Sequence, residues 1–150
     1  MSDHIRRVVY GFREAFFIQH DANAAAQMYT DDATLWDPFT PVPIKGREAI
    51  QENLEMYLQA FPDISIEATN LFSSGGFSPE NWFAAEFTLR GTNTGLLKIG
   101  PGRAISPTGK RIALKVCWIG RVTPKGLCAE DRSYYDSASL MNQLGLAPPR

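Results

Sequence analysis

Two aspartates sit where strand-like segments carry aromatic neighbours: Asp37 in 30-TDDATLWDP-38 and Asp131 in 129-AEDRSYYDSASLMNQLG-145. A carboxyl group facing a nearly dry interior has its pKa raised by desolvation, which suits it to general acid or base work near neutrality. Asp131 is expected on the inward face of its strand. Its alternative is a place near the rim, solvated or paired with Arg90 or Arg111. Asp37 shares a strand face with Ala33 and Leu35, and its alternative is an Asx-type turn ahead of Pro38. His4 and His20 are the histidines of the chain. Both fall near predicted helix ends and read as surface residues. Asp31 and Asp32 have no histidine or cysteine at ligand spacing, so a transition-metal site is not expected. The segment 106-SPTGKR-111 matches neither a phosphate loop nor a dinucleotide fingerprint.

The elements that must position these acids follow from periodicity. Ile5, Val8, Val9, Phe12 and Phe16 recur at helical spacing and predict a helix over residues 2–19. Asp21 is placed to cap a short helix over ANAAAQMY. A turn is expected at residues 30–32, then a short strand over ATLWDP that Pro38 stops. Ile50, Leu54, Tyr57, Leu58 and Phe61 line one face of a helix over residues 47–61, ended by Pro62. Beyond it the period becomes two. Ile64, Ile66, Ala68 and Phe72 share one strand face. Phe83, Ala85, Phe87 and Leu89 share a second, and Ile112, Leu114, Val116, Trp118 and Val122 a third. The stretch 95-GLLKIGPGRAISPTG-109 is long enough for a lid or a mouth. Asp136 or Ser137 is placed to cap a last helix that Gly145 ends.

Helices followed by a meander of half-buried strands predict an α+β fold. We expect a cone-shaped barrel made of one curved antiparallel sheet, with the helices packed on its concave face. Phe16, Tyr57, Phe61 and Phe87 line the pocket or the core of such a cone. Trp82, Glu86 and Arg90 fall on its outer face.

The hairpin around Thr123-Pro124-Lys125-Gly126 decides which side chains meet. A four-residue loop pairs Val122 with Leu127, and a three-residue loop with a glycine bulge pairs Thr123 with Leu127. The apolar positions before the turn are even-numbered and the less charged ones after it odd-numbered. This favours the four-residue loop, with Trp118 opposite Asp131, Val116 opposite Ser133 and Cys117 opposite Arg132. Cys117 and Cys128 are then not bridged, in keeping with a reducing cytoplasm.

The 150 residues form one expected domain, with 44% hydrophobic and 21% charged residues and a net charge of -1. That balance argues against disorder and offers no basic footprint for nucleic acid. No apolar run reaches membrane-spanning length, and the amphipathic N-terminus MSDHIRRVVYGF lacks a signal-peptide core.

The segments 30-TDDATLWDP-38, 45-KGREAIQENL-54, 106-SPTGKR-111 and 131-DRSYYDSASLMNQLG-145 resemble the SnoaL-like polyketide cyclases of the nuclear transport factor 2-like superfamily. The resemblance spans essentially the whole chain. It implies a cofactor-independent protein, a small hydrophobic molecule as ligand, and a homodimer joined through the outer sheet face. The family's cyclases use an aspartate on the last strand as general acid/base, and that position is Ser133 here. Their strand histidines fall at Trp118 or Ile119 and at Asn93. Asp37 matches the proton-abstracting aspartate of ketosteroid isomerase, while that enzyme's tyrosine falls near Arg13 and its protonated aspartate near Val116 or Cys117. The resemblance therefore implies acid/base chemistry on a small apolar carbonyl compound, an aldol cyclisation or an isomerisation. Asp37 would be the base and Asp131 the acid, with Asn93, Ser133 and Tyr135 orienting oxygens and Trp118 beside them. The alternatives are a binding cone that has lost catalysis, and an activity like that of ketosteroid isomerase or epoxide hydrolase.

Overall fold

The computed structural model describes residues 2–73 and 81–146. Helix α1 covers Asp3–Phe12 and begins where the Ser2 side chain accepts from the Ile5 backbone N–H. It does not continue as one α-helix. Residues Arg13–Ile18 form a π-helix, closed by bonds from the Gln19 N–H to the Glu14 carbonyl and from the Asp21 N–H to the Ala15 carbonyl. The wider turn brings Phe12, Phe16 and Phe17 to the same cavity, a grouping that α-helical spacing does not give. Helix α2, Ala22–Ala26, is capped by Asp21 as expected. Helix α3, Arg47–Ala60, stops just before Pro62.

Among the described residues, the main sheet has six strands: β1 (Tyr29–Trp36), β2 (Ile44–Lys45), β3 (Ser65–Ser73), β4 (Asn81–Thr92), β7 (Arg111–Val122) and β8 (Cys128–Tyr134). Their order is β2-β1-β8-β7-β4-β3. The fold is α+β with a curved sheet, and the sheet stays open at β2 and β3. One pairing departs from the all-antiparallel expectation, because β1 runs parallel to β8. Apolar side chains on the face toward the helices join the helical stripes in one core cluster. Helix α4, Ser137–Gln143, is capped by Asp136, and the Gln143 side chain bonds both the N–H and the carbonyl of Ala113 on β7.

Four irregularities correct the expected register, strand face and turn. The turn after β7 is the three-residue form, with the Thr123 N–H bonded to the Leu127 carbonyl and Gly126 at φ 75°. That loop alone would put the wrong face of β8 inward. An extra residue between Cys128 and Glu130 restores the alternation, since Val122 pairs with Cys128 but Arg121 with Glu130. The sum of the two is a shift by two positions. Trp118 stands opposite Ser133, Gly120 opposite Asp131 and Cys117 opposite Tyr134. Asp131 still points inward, because two bulges cancel in parity. Cys117 and Cys128 are not bridged.

On β3 the register slips after Ala68, so Leu71 pairs with Ala85 while Phe72, 54% exposed, pairs with Ala84 on the outer side. Phe72 therefore leaves the face predicted for it. On β1 the expected turn at residues 30–32 is an irregularity within the strand. Five steps along β1, from Tyr29 to Thr34, match two along β8. Arg47 at the start of α3 holds this bend, donating from Nη2 (2.7 Å) and Nε (3.1 Å) to the Tyr29 carbonyl and pairing through Nη1 with Asp31 (2.8 Å).

The 95–109 stretch is not a structureless lid. It forms a small hairpin of β5 (Leu97–Gly100) and β6 (Arg103–Ile105), with Leu97 and Ile105 buried.

Candidate functional site

The sheet and helices enclose a cavity of about 120 Å³. Its wall is almost wholly aromatic and aliphatic, contributed by the π-helix, α3, α4 and the inward positions of β1, β4, β7 and β8. Asp37 and Asp131 both reach it, at 4% and 5% exposure, so neither carboxyl has bulk water to solvate it. Of the predicted site residues, Phe16, Tyr57, Phe61, Phe87, Trp118, Ser133 and Tyr135 also line it.

Asn93 does not. It is fully buried behind the end of β4, where its Nδ2 donates to the carbonyls of Ala60 (3.2 Å) and Gly95 (2.9 Å). Its Oδ1 accepts from the Thr108 N–H and hydroxyl, both at 2.9 Å. With donors and acceptor committed, Asn93 pins the β5–β6 hairpin to the end of α3 and is not an orienter of substrate oxygen. His20 is likewise outside the cavity, with Nε2 2.8 Å from the Ile64 carbonyl oxygen.

Asp131 is held by a partner that local sequence signals did not reveal. The Tyr29 hydroxyl donates to its Oδ2 in a short, buried hydrogen bond. Burial pushes the Asp131 pKa up to about 7, hydrogen bonding from Tyr29 and proximity of the Trp118 indole pull it back, and the charge of Asp37 raises it again. The group is therefore partly protonated at neutral pH, able to give a proton and to take one back. Tyr29 is itself held well above the ordinary tyrosine value by burial and by the facing carboxylate, so it stays a donor.

Asp37 directly follows β1, and both readings of it are realised together. Its Oδ1 accepts from the Phe39 N–H (2.8 Å), the Asx-type turn expected before Pro38. Its Oδ2 accepts from the Tyr57 hydroxyl (3.0 Å) and faces the cavity. Burial raises the Asp37 pKa, and the bonds from Phe39, Tyr57 and Thr40 oppose the rise. Burial and the neighbouring Tyr135 and Asp37 hold Tyr57 far above the usual phenol range. Tyr135, packed edge-on to Phe39 at 5.9 Å, is pushed up in the same way. Asp37, Tyr57 and Tyr135 form one network and Asp131 with Tyr29 another.

Trp118 lines the same cavity. Its ring meets Phe83 edge-to-face at 4.7 Å and Phe12 at 5.2 Å. Gly120, opposite Asp131, makes room for this stack: a Cβ there would lie 2.4 Å from Phe83 Cζ. Among the described residues, no group of three or more histidine, cysteine, aspartate or glutamate side chains is arranged to hold a metal ion.

The model of the SnoaL-like domain matches residues 9–130. The chain belongs to the SnoaL-like family. No curated protein matches it in sequence. Among solved structures, TsrD from Streptomyces laurentii superposes with a TM-score of 0.75 at 19% identity, over 98% of this chain and 99% of that one. SalBIII, an epoxide hydrolase/cyclase-like enzyme of pyran ring formation in salinomycin, gives 0.69 at 23% identity, over 93% and 97%. RV0760c from Mycobacterium tuberculosis, in complex with estradiol-17beta-hemisuccinate, gives 0.69 at 16% identity, over 92% and 98%. At these identities the likeness is one of fold. This SnoaL-like chain thus shares the nuclear transport factor 2-like architecture of an enzyme and of a protein in complex with a steroid ester. Among the described residues, no helix is long and apolar enough to cross a membrane.

Proposed function

We propose that this SnoaL-like protein is a cofactor-independent acid/base enzyme acting on a small, largely apolar carbonyl compound. The observation that carries the reading is the placement of two desolvated carboxyl groups, Asp37 and Asp131, in one apolar cavity, each with its own tyrosine donor. Two acids whose environments differ divide the roles of base and acid. Asp37, its carboxylate held by the Phe39 N–H and the Tyr57 hydroxyl, takes the proton from the carbon next to a carbonyl. The electron pair left behind forms either a carbon–carbon bond to a second carbonyl of the same molecule or a shifted double bond. In the cyclisation, the second carbonyl's oxygen receives its proton from Asp131. In the isomerisation, the enolate takes a proton back at carbon. Both acids then return to their starting states through the bound product or solvent.

The test is exchange of the α-protons of 1-indanone in heavy water, followed by NMR. The wild-type protein accelerates exchange over buffer, and Asp37→Asn lowers the rate by about 100-fold or more. Equal rates in wild type, Asp37→Asn and Asp131→Asn would remove the assignment.

A second reading, a cone that binds without turnover, is favoured by Ser133, which lines the cavity where the family resemblance places an aspartate. Tight binding of 1-indanone with no exchange is its signature.

We also infer a homodimer through the outer sheet face. Trp36 and Tyr134 stack there with ring centres 5.2 Å apart, and the Arg132 guanidinium lies 5.5 Å from the centre of the Trp82 ring. Sedimentation of wild type against Trp36→Glu tests it: loss of a dimer in the variant supports this face, and a monomeric wild type refutes it.

A further inference from the structure

Among the described residues, one buried side-chain nitrogen or oxygen has no hydrogen-bond partner, the indole Nε1 of Trp118. A buried donor left unmade is costly, and such groups in a folded protein call for an explanation. Trp118 is 6% exposed and lines the same cavity as Asp131. Its ring is clamped by Phe83 and Phe12, so the N–H cannot swing to find a protein acceptor without breaking that stack. The indole lies close enough to the Asp131 carboxyl to help hold its pKa down, yet its N–H completes no hydrogen bond there, and Asp131 Oδ2 already accepts from Tyr29.

We infer that the Trp118 indole N–H is a binding donor for the substrate's carbonyl oxygen, working beside the Asp131 carboxyl so that one oxygen meets both. Three features of the fold converge on that arrangement. The two cancelling bulges, one in the turn and one at residues 128–130, set Trp118 opposite Ser133, which leaves the indole and the Asp131 side chain on one face of adjacent strands, lining the same cavity. Gly120 admits the Phe83 ring that fixes the indole plane. Most of the remaining wall is apolar, with Ser133 the polar residue on the facing strand, so a carbonyl oxygen arriving there meets few other donors. An indole donates and does not accept. The site therefore selects an acceptor oxygen, a ketone or enolate, over a hydroxyl presented as donor. The ligand class rests on the acid/base reading above, but the donor role does not require turnover.

The test uses protein labelled with nitrogen-15 at the indoles of Trp36, Trp82 and Trp118, with Trp→Phe variants at each position assigning the signals. Saturation with 1-indanone moves the Trp118 indole proton downfield and leaves those of Trp36 and Trp82 in place. Trp118→Phe, which keeps a ring against Phe83, weakens 1-indanone binding by about 3- to 10-fold, the range expected for a neutral hydrogen bond. It leaves the binding of indane, which lacks the oxygen, unchanged. An indole proton that does not move, equal weakening for both ligands, or no binding of 1-indanone to the wild type would overturn the inference. Should Trp118→Phe fail to fold, the wild-type shift decides alone. Binding with the predicted shift but no α-proton exchange would sink the proposed reaction and leave the donor role standing.

Discussion

The Tyr29 hydroxyl and the Asp131 carboxyl, 102 positions apart in sequence, meet in a buried hydrogen bond in the wall of the cavity. Nothing local to either residue creates that contact. It depends on β1 lying parallel to β8 and on the irregular bend between Tyr29 and Thr34 that Arg47 pins. Tyr29→Phe should therefore push the Asp131 pKa higher, because the lost bond favoured the carboxylate. It should also cost about 1–3 kcal/mol of stability, as a buried acceptor loses its donor. Urea unfolding at neutral pH checks the second effect.

Asp131 makes stability fall as pH rises. Its folded pKa of about 7 stands above the ordinary 3.8, so the native state holds the proton more tightly than the unfolded chain. The stabilisation from this group is complete below the unfolded value and is lost as pH climbs through the folded one. At about 1.4 kcal/mol per unit the loss approaches about 4 kcal/mol between pH 4 and pH 8, with Asp37 adding in the same direction. Asp131→Asn should remove most of that slope. The variant is expected to be more stable than wild type at pH 8 and inactive, and unfolding curves at pH 5 and pH 8 test this.

Gly120→Ala places a methyl 2.4 Å from the edge of the Phe83 ring, at a residue opposite Asp131. Overpacking of this kind costs about 1–3 kcal/mol. The displaced ring also moves Trp118, so ligand affinity should fall along with the melting temperature. Calorimetry together with 1-indanone titration separates the two effects.

Asn93→Ala should behave differently. It deletes bonds to Ala60, Gly95 and Thr108 that anchor the β5–β6 hairpin, and a loss of about 2–4 kcal/mol is expected. At a temperature where the variant is folded, its affinity for 1-indanone should match that of wild type. A selective loss of affinity would return Asn93 to the site.

What the sequence made legible was what short-range chemistry decides. Asp21 and Asp136 cap their helices because each side chain reaches a backbone N–H two or three residues on. The inward set of β7 and the cavity placement of Asp37 follow from period-two alternation. The register between Trp118 and Asp131 was hidden because two bulges, one in the turn and one at residues 128–130, cancel in parity but add in displacement. Hydrophobic alternation reports parity alone. The π-helix at Arg13–Ile18 was equally hidden, since Phe12 and Phe16 fit an α-helical stripe and only Phe17 breaks it. Tyr29 escaped notice because its partner is set by a parallel pairing of strands far apart in the chain.

The measurement closest to the central claim is a carbon-13 titration of the aspartate carboxyl groups, in wild type and in Asp37→Asn. If the two acids share one dry cavity, Asp131 titrates near pH 7 in the wild type. Removing the Asp37 charge then lowers that midpoint, because the charge of Asp37 now raises it. A midpoint near 4 in the wild type, or one indifferent to Asp37, would contradict the account.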